Sequence, residues 1–292
     1  MKSVLSIAGS DSSGGAGIQA DLKTIQAFHM FGQTAVTSLT AQNTQGVFGV
    51  YDASPEFVEQ QIDVVFDDIR PDAVKIGMVS TPEIVHAIAV ALKRNSARNI
   101  VVDPVMVATS GADLASNEAV AALREELIPL ADIITPNIPE AQVLCGFEIG
   151  SEADQRRAAC ALAGLFGDQA TASVSEKDVS PASIAASIGC FPKAVLVKGG
   201  HGSNDANDVL VSSDGEVSWL RGQRIDTENT HGTGCTLSSA IACGLAEGLS
   251  VEQAVRNAKD FVTGAIRFNP NLGRGNGPLN HMWRDFVSGD RG

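Results

Sequence analysis

The sequence predicts an α/β protein with a mainly parallel sheet that is covered by helices on both faces. Short apolar runs of strand length alternate with longer segments in which apolar residues recur at helical spacing. Such an alternation is typical of parallel strands joined by helices, with the strands buried between two helical layers. No stretch repeats along the 292 residues, a length that suits one large α/β domain or two small ones.

Each predicted element follows from its own apolar pattern and its flanking turn residues. Buried strands are predicted at residues 4–8, 34–41, 73–76, 100–102, 132–134 and 194–197, and a hairpin at 209–211 and 217–220. Helices are predicted at residues 18–28, 55–67, 82–94, 117–127, 153–166, 233–247 and 251–268, with a further one beginning near Glu140. Residues 146–190 carry the weakest signal, and we assign them no function.

Composition excludes several classes of function. A net charge of −13 argues against a nucleic-acid or anionic-membrane surface, since both need clustered Lys and Arg. An anionic ligand must then be met by local groups. The five cysteines form no metal-type pairs and are odd in number, which favours a reducing compartment without structural disulfides. The first apolar run is too short for a signal peptide, and no run reaches membrane-spanning length, so we expect a cytoplasmic protein.

The segment from His231 to Cys235 is the strongest candidate for a site. Gly232, Thr233 and Gly234 open a predicted helix, where free backbone N–H groups and the positive end of the helix dipole favour a phosphate. Cys235 lies at the same helix end, so we expect its thiolate to be favoured. The alternative is a glycine-rich turn before a core helix, with Cys235 as a small buried apolar residue.

Several polar or glycine residues follow predicted strands and should converge at one edge of the sheet, where α/β proteins bind ligands. These are Gly9, Gln42, Gly77 with Met78, and Asp103. Gln42 can both donate and accept hydrogen bonds, which suits a heterocycle with an amino group, although a run of amides also fits an ordinary turn.

Three charged residues are further candidates, each with a simpler explanation. Asp21 lies about one turn into the first helix, and Glu140 near the start of another, where a carboxylate could hold Mg²⁺ through water. Both also fit a favourable charge at a helix N-terminus. Lys198 follows a strand and precedes two glycines, so it could reach a nucleotide phosphate or simply lie on the surface.

The chain has no Walker A sequence and no protein-kinase signature. Instead, motifs along nearly the whole chain resemble the hydroxymethylpyrimidine/phosphomethylpyrimidine kinases of thiamine biosynthesis, which belong to the ribokinase-like superfamily. The motifs are Ala8-Gly-Ser-Asp-Ser-Ser-Gly-Gly-Ala-Gly-Ile-Gln-Ala-Asp21, Ala41-Gln-Asn-Thr44, Lys75-Ile-Gly-Met78, Asp103-Pro-Val-Met106, Thr135-Pro-Asn-Ile-Pro-Glu140, Lys198-Gly-Gly-His201 and His231-Gly-Thr-Gly-Cys235.

The resemblance implies a single ribokinase-like domain over residues 1–292, a three-layer α/β/α sandwich. It implies ATP-Mg²⁺-dependent phosphorylation of 4-amino-5-hydroxymethyl-2-methylpyrimidine, then of the monophosphate, and a homodimer. By the same resemblance Cys235 is the base, and Gly232, Thr233 and Gly234 form the anion hole. The remaining roles fall to Gln42, Gly9, Asp21, Met78 and Val105 for the pyrimidine, Lys198 for ATP phosphate, and Glu140 with Asp103 for Mg²⁺.

The chain departs from the family at Thr109, in the segment 108–111, where many members have a lysine. The second, phosphorylated substrate would lack that positive charge. Two other functions remain open at this point. A vitamin B6 kinase can share this fold and even the cysteine, although Gln42-Asn43-Thr44 favours the pyrimidine. A non-catalytic ligand-binding regulator would be expected to lack the base, anion hole or metal carboxylate, all of which are present.

Overall fold

The computed structural model describes residues 1–107, 114–165, 191–200 and 205–288. The strands are β1 (Ser3–Asp11), β2 (Phe31–Asn43), β3 (Gly46–Asp52), β4 (Ala73–Ile76), β5 (Ile100–Val102), β6 (Ile133–Ile134), β7 (Ala194–Val197), β8 (Asp208–Ser212) and β9 (Val217–Leu220). The helices are α1 (Gly17–Ala27), α2 (Pro55–Asp68), α3 (Pro82–Arg94), α4 (Asn117–Ala122), α5 (Ile138–Cys145), α6 (Glu152–Leu162), α7 (Thr233–Ala246), α8 (Val251–Arg267) and α9 (Trp283–Ser288).

The described strands form one sheet in the order β3-β2-β1-β4-β5-β6-β7-β8-β9. Neighbours from β2 to β7 pair in parallel. The pairs β2/β3, β7/β8 and β8/β9 are antiparallel. The predicted mainly parallel sheet and the predicted hairpin are therefore confirmed.

Helices cover both faces of the sheet. Leu5 and Ile7 of β1 belong to a core with α2, α3, α5 and α6, whereas Val4 belongs to the opposite core with α1, α7 and α8. Because successive side chains of a strand point to opposite faces, Ser6 and its register partner Lys75 face the α1/α7 side. The three-layer α/β/α sandwich is confirmed.

Side-chain capping explains where most helices begin. Six of the helices α1 to α8 follow a residue whose side chain accepts a hydrogen bond from the N–H three positions later. These residues are Ser54, Thr81, Ser116, Asn137, Ser151 and Ser250. Within this group only α1 and α7 lack such a cap, since they follow Ala16 and Gly232. Their first N–H groups are left for other acceptors.

The sequence prediction missed or misplaced several elements. The strand β3 and the helix α9 were not predicted, and β1 and β2 are longer than expected. The predicted helix 117–127 ends as α4 at Ala122 and continues as a π-helical turn (Leu123–Leu127) and a 3-10 turn (Ile128–Leu130). Thr109, His201 and the polar stretch 170–180 lie outside the described residues.

The edge formed by β2 and β3 exposes large apolar side chains. Leu39 is 55% exposed, Phe48 71% and Tyr51 75%. β3 lies at the end of the sheet. No helix in the described ranges is long and apolar enough to cross a membrane.

Candidate active site

The carboxyl ends of the parallel strands bring the predicted residues to one edge of the sheet. A methyl group on Gly9, near the end of β1, would lie 3.0 Å from the sulfur of Met78, which follows β4. Lys198, which follows β7, donates to Asp103 Oδ1 after β5 at 2.9 Å. The same Lys198 Nζ lies 3.3 Å from the position that a Cβ on Gly234 would take. The expected convergence is confirmed for Gly9, Met78 and Asp103, which lie at the ends of the neighbouring strands β1, β4 and β5, and Lys198 and Gly234 lie at the same edge.

The start of α7 presents free backbone donors to this edge. The hydrogen bonds of the described residues leave the N–H groups of Gly234 and Cys235 without an acceptor. Thr233 differs, because its N–H and its hydroxyl both donate to the carbonyl of Thr230, at 3.2 and 2.6 Å. Free N–H groups at the positive end of a helix dipole form a seat for an anion. The N–H of Cys235 belongs to this seat, although the sequence analysis did not single it out.

Gly232 allows the loop before α7 to touch the loop before α1. Its φ of 84° lies in the left-handed region, and a Cβ there would collide with the carbonyl oxygen of Gly15. A Cβ on Gly15 would in turn collide with the ring of His231. A side chain at Gly232 would therefore require a shift of the backbone, and one at Gly15 a shift of the His231 ring.

Asp11 and His231 join the same two loops, although the sequence analysis assigned neither of them a role. Asp11 Oδ2 lies 2.8 Å from His231 Nε2 and also accepts from the N–H groups of Gly15 and Ala16, at 3.0 and 2.8 Å. Burial raises the pKa of the Asp11 carboxyl, but the hydrogen bonds from His231, Ser13 and Ala16 outweigh it and hold that pKa well below its usual range. An aspartate two residues before a serine in a glycine-rich loop was the available sequence signal.

Cys235 is a half-buried thiol, and the expectation that its thiolate is favoured is wrong. Burial raises the pKa of Cys235 to about 11. Lys75 and the N–H of Gly17 lower that pKa, whereas Asp21 and Asp103 raise it. The helix dipole is thus outweighed by the cost of placing a charge in a buried site.

Asp21 lies behind the site and does not line an open pocket, so its expected role needs correction. Its side chain is fully buried and forms an ion pair with the equally buried Lys75, with both carboxylate oxygens within 2.9 Å of Nζ. Ser6 and Ser239 also donate to it, at 2.6 and 2.7 Å. A carboxylate with this many donors and no exposed surface cannot contact a ligand directly in this arrangement.

The residues expected at the pyrimidine lie along the mouth of the same edge. The Gln42 side chain is half-buried, with Oε1 3.1 Å from Thr40 Oγ1 and Nε2 3.5 Å from His231 Nε2. Val105 is half-buried and Met78 is buried. The closing loop near Gly275 reaches the same region, because the N–H groups of Arg274 and Gly275 donate to Thr44 Oγ1 at 3.1 and 3.2 Å.

Asp103 and Glu140 are the two carboxylates whose charges act on Lys198. Asp103 accepts hydrogen bonds from Lys198 at 2.9 Å and from Thr135 at 3.0 Å. Burial raises the pKa of Asp103, but the charges of Lys198 and Lys75 hold that pKa below its usual range. Burial raises the pKa of Glu140 to about 7, although Lys198 opposes the rise. Glu140 also caps α5, where its Oε2 accepts from Asn137 N at 2.8 Å.

This donor set fits one kind of magnesium site only. Among the described residues no three His, Cys, Asp or Glu side chains come together as a metal cluster. Mg²⁺ commonly keeps several waters and binds through one or two carboxylates together with substrate phosphates. Two carboxylates beside a lysine fit such a shared site and do not form a closed protein cage.

Comparison with known proteins gives consistent similarities. The family model for phosphomethylpyrimidine kinase matches residues 11–171 and 169–280. The chain is 48% identical over 288 residues to the hydroxymethylpyrimidine/phosphomethylpyrimidine kinase of Rhizobium meliloti, covering 96% of this chain and 98% of that protein. It is 45% identical over 281 residues to the thiamine biosynthesis bifunctional protein ThiED of Geobacter sulfurreducens, of which it spans about half the length (52%).

Two solved structures share the fold. A phosphomethylpyrimidine kinase from Clostridium difficile is 42% identical, with a TM-score of 0.73 over 91% of this chain and 100% of that one. An ADP complex of Bacillus subtilis pyridoxal kinase is 34% identical, with a TM-score of 0.80 over 98% of this chain and 99% of that one. The three-layer sandwich is thus the fold of the ribokinase-like kinases.

The contact between the two glycine loops makes a prediction about stability. We expect Gly232→Ala to lower the free energy of unfolding by clearly more than Gly248→Ala, as measured by urea denaturation. Both glycines have a positive φ, 84° and 85°, but a Cβ on Gly248 would meet nothing within 4 Å. The control therefore isolates the backbone strain, about 1 kcal/mol. Equal losses in the two variants would show that the loop contact contributes nothing.

Proposed function

This chain belongs to the phosphomethylpyrimidine kinase family, and on that premise we propose which of its residues carry out the reaction. The chain is an ATP-dependent kinase of thiamine biosynthesis that phosphorylates 4-amino-5-hydroxymethyl-2-methylpyrimidine and then its monophosphate. The observation that carries the assignment is the family match from residue 11 to residue 280, a range that includes all the residues of the candidate site except Gly9.

We propose that the start of α7 is the centre of phosphoryl transfer. The substrate alcohol attacks the γ-phosphorus of ATP, its proton passes to Cys235 Sγ, and ADP leaves with the electrons of the broken P–O bond. The N–H groups of Gly234 and Cys235 meet the charge on the transferring phosphoryl group, with Gly232 and Thr233 shaping the loop. Because phosphoryl transfer depends mainly on positioning and charge neutralisation, these groups suffice on the protein side.

We propose that the pyrimidine lies between Gln42 and the pocket formed by Gly9, Met78 and Val105. The Gln42 amide offers a donor and an acceptor at the mouth of the site. Gly9 leaves space beside Met78, because a Cβ there would lie 3.0 Å from the Met78 sulfur. Asp21 supports this region from behind through Ser6, Ser239 and Lys75.

We propose that Lys198 contacts an ATP phosphate, and that Asp103 and Glu140 would hold Mg²⁺ through water. When bound, Mg²⁺ neutralises charge on the nucleotide phosphates. Lys198 is 14% exposed and is held by Asp103 at 2.9 Å, so its charge is already in place when the nucleotide arrives. This placement suits a chain of net charge −13, which has no basic field to attract an anion.

We also propose a single catalytic domain, a cytoplasmic location and a homodimer. One sheet runs through all the described ranges, which supports the single domain. The exposed Leu39, Phe48 and Tyr51 on β2 and β3 support the dimer, because an edge of the sheet with large apolar side chains is suited to contact a second copy.

Pyridoxal remains a second candidate substrate. The observation that favours it is the close structural similarity to pyridoxal kinase, with a TM-score of 0.80. The identities of 48% and 45% to the named pyrimidine-pathway relatives favour the pyrimidine as the main substrate.

A competition experiment tests the substrate. With ATP-Mg²⁺ and equal concentrations of the pyrimidine alcohol and pyridoxal, we expect mass spectrometry to detect the pyrimidine monophosphate and then the diphosphate as main products. Pyridoxal phosphate as the main product would contradict the assignment. Accumulation of the monophosphate would show that the second step is slow, as the threonine at position 109 suggests.

The base role of Cys235 predicts a difference between the two steps. The alcohol must lose a proton during attack, whereas a phosphate monoester has a second pKa near 6 and is already ionised. We therefore expect Cys235→Ala to lower kcat for the alcohol by about 10²–10⁴-fold and to lower kcat for the monophosphate much less. Equal losses in both steps, or no loss for the alcohol, would refute the base role.

The proposed pyrimidine contact is tested with neighbouring amides. We expect Gln42→Ala to raise KM for the pyrimidine about tenfold and to leave KM for ATP unchanged, since one lost polar contact is worth about 1–3 kcal/mol. Asn43→Ala is the control: Asn43 points to the other face of β2, and its Oδ1 accepts from Gln45 N at 2.8 Å. An equal rise of KM for the pyrimidine and for ATP would contradict the assignment. An equal rise of KM for the pyrimidine in Gln42→Ala and Asn43→Ala would contradict it as well.

A further inference from the structure

Lys75 is a fully buried lysine that the proposed reaction does not yet use. It lies on β4, in register with Ser6 of β1 and with Val101 of β5, in the middle of the sheet. Its side chain is 0% exposed. A Cβ on Gly77 would lie only 2.6 Å from Lys75 Nζ, so the ammonium reaches the carboxyl end of β4, where the site begins.

Asp21 holds Lys75 in place. The carboxylate accepts four hydrogen bonds, two from Lys75 Nζ at 2.9 and 2.8 Å, one from Ser6 and one from Ser239. An ammonium group can donate three hydrogen bonds, and the contacts among the described residues use two of them, both to Asp21. A buried ion pair is weak evidence for stability, since removing two charges from water is costly. A role in the reaction explains the pair better.

The pair is connected to Cys235 through α7. Ser239 lies one helical turn after Cys235 and donates to Asp21, so the helix that carries the thiol is fixed to the Lys75–Asp21 pair. The charged groups that act on Cys235 are Asp21 from α1, Lys75 from β4, Asp103 after β5 and Lys198 after β7. Lys75 is the strongest of the groups that lower the pKa of Cys235.

We propose that Lys75 is a positioning residue of the kinase: held by Asp21, its ammonium supplies the buried positive charge that stabilises the thiolate of Cys235. The proton of the substrate alcohol goes to Cys235 Sγ as the new O–P bond forms and the bond to ADP breaks. Lys75 keeps its own proton throughout. The inference rests on the proposed base role of Cys235 and explains how a thiol whose pKa is raised by its surroundings can act as a base.

The test removes both charges together, so that neither is left buried alone. In Lys75→Met/Asp21→Asn we expect the ratio of kcat for the alcohol to kcat for the monophosphate to fall about tenfold or more. The rate of Cys235 alkylation by iodoacetamide at about pH 9, measured by peptide mass spectrometry, should fall as well, by about tenfold for each unit by which the pKa rises. Lys75→Gln/Asp21→Asn, whose amides can bond to each other, carries the same expectation if the first variant does not fold.

Lys259→Met/Asp208→Asn is the matched control. It removes another mostly buried ion pair, with Lys259 Nζ 2.6 Å from Asp208 Oδ2 and side chains 15% and 10% exposed, that is not among the charged groups acting on Cys235. We expect the kcat ratio and the alkylation rate of this control to stay close to those of the wild type. A purely structural role for the pair would lower kcat for both substrates together and leave the ratio unchanged.

An unchanged kcat ratio together with an unchanged alkylation rate overturns the inference. A fall in the Lys259→Met/Asp208→Asn control as large as in the Lys75/Asp21 variants also overturns it, because the loss of any buried ion pair would then explain the result. If Cys235→Ala fails to separate the two steps, the base role is what fails. The alkylation rate then decides on its own whether Lys75 stabilises the thiolate.

Discussion

The geometry of the site depends on the Asp11 carboxylate. It accepts hydrogen bonds from the N–H groups of Ser13, Gly15 and Ala16, and it pairs with His231, 220 residues away in sequence. The first contacts shape the loop between β1 and α1, and the last ties that loop to the start of α7. Two helix N-termini are therefore held against each other at the edge of the sheet, and the glycines at 15 and 232 let their backbones touch.

The site binds anionic substrates although the chain as a whole is strongly negative. A protein of net charge −13 must attract anionic substrates with groups buried at the site itself. Lys198, held by Asp103 at 2.9 Å, is such a group, and Lys75, held by Asp21, is a second positive charge behind the site. Burial, which strengthens their fields, also raises the pKa values of Cys235 and Glu140. The same low-polarity surroundings therefore make the base harder to ionise and the lysines more effective.

The sequence could predict what local patterns and parallel topology determine. The bounds of β4, α3, β5 and β7 agree with the prediction, because apolar runs, capping residues and prolines mark them locally. The meeting of the strand ends follows from topology alone. By contrast, β3 has mostly exposed side chains, so it lacks the buried pattern. The Lys75–Asp21 pair joins residues 54 positions apart, and the protonation of Cys235 depends on burial; neither leaves a local signal.

The missing side-chain cap of α7 couples folding to occupancy of the site. A capping side chain typically contributes about 1 kcal/mol to helix stability, and α7 lacks that contribution. An anion bound at the start of α7 would supply the missing acceptor only while it is present. The free backbone donors therefore serve anion binding at the expense of helix stability. The temperature of thermal unfolding should therefore rise with occupancy of the anion site. Selection for stability alone would favour a capping side chain that occupies the same backbone donors.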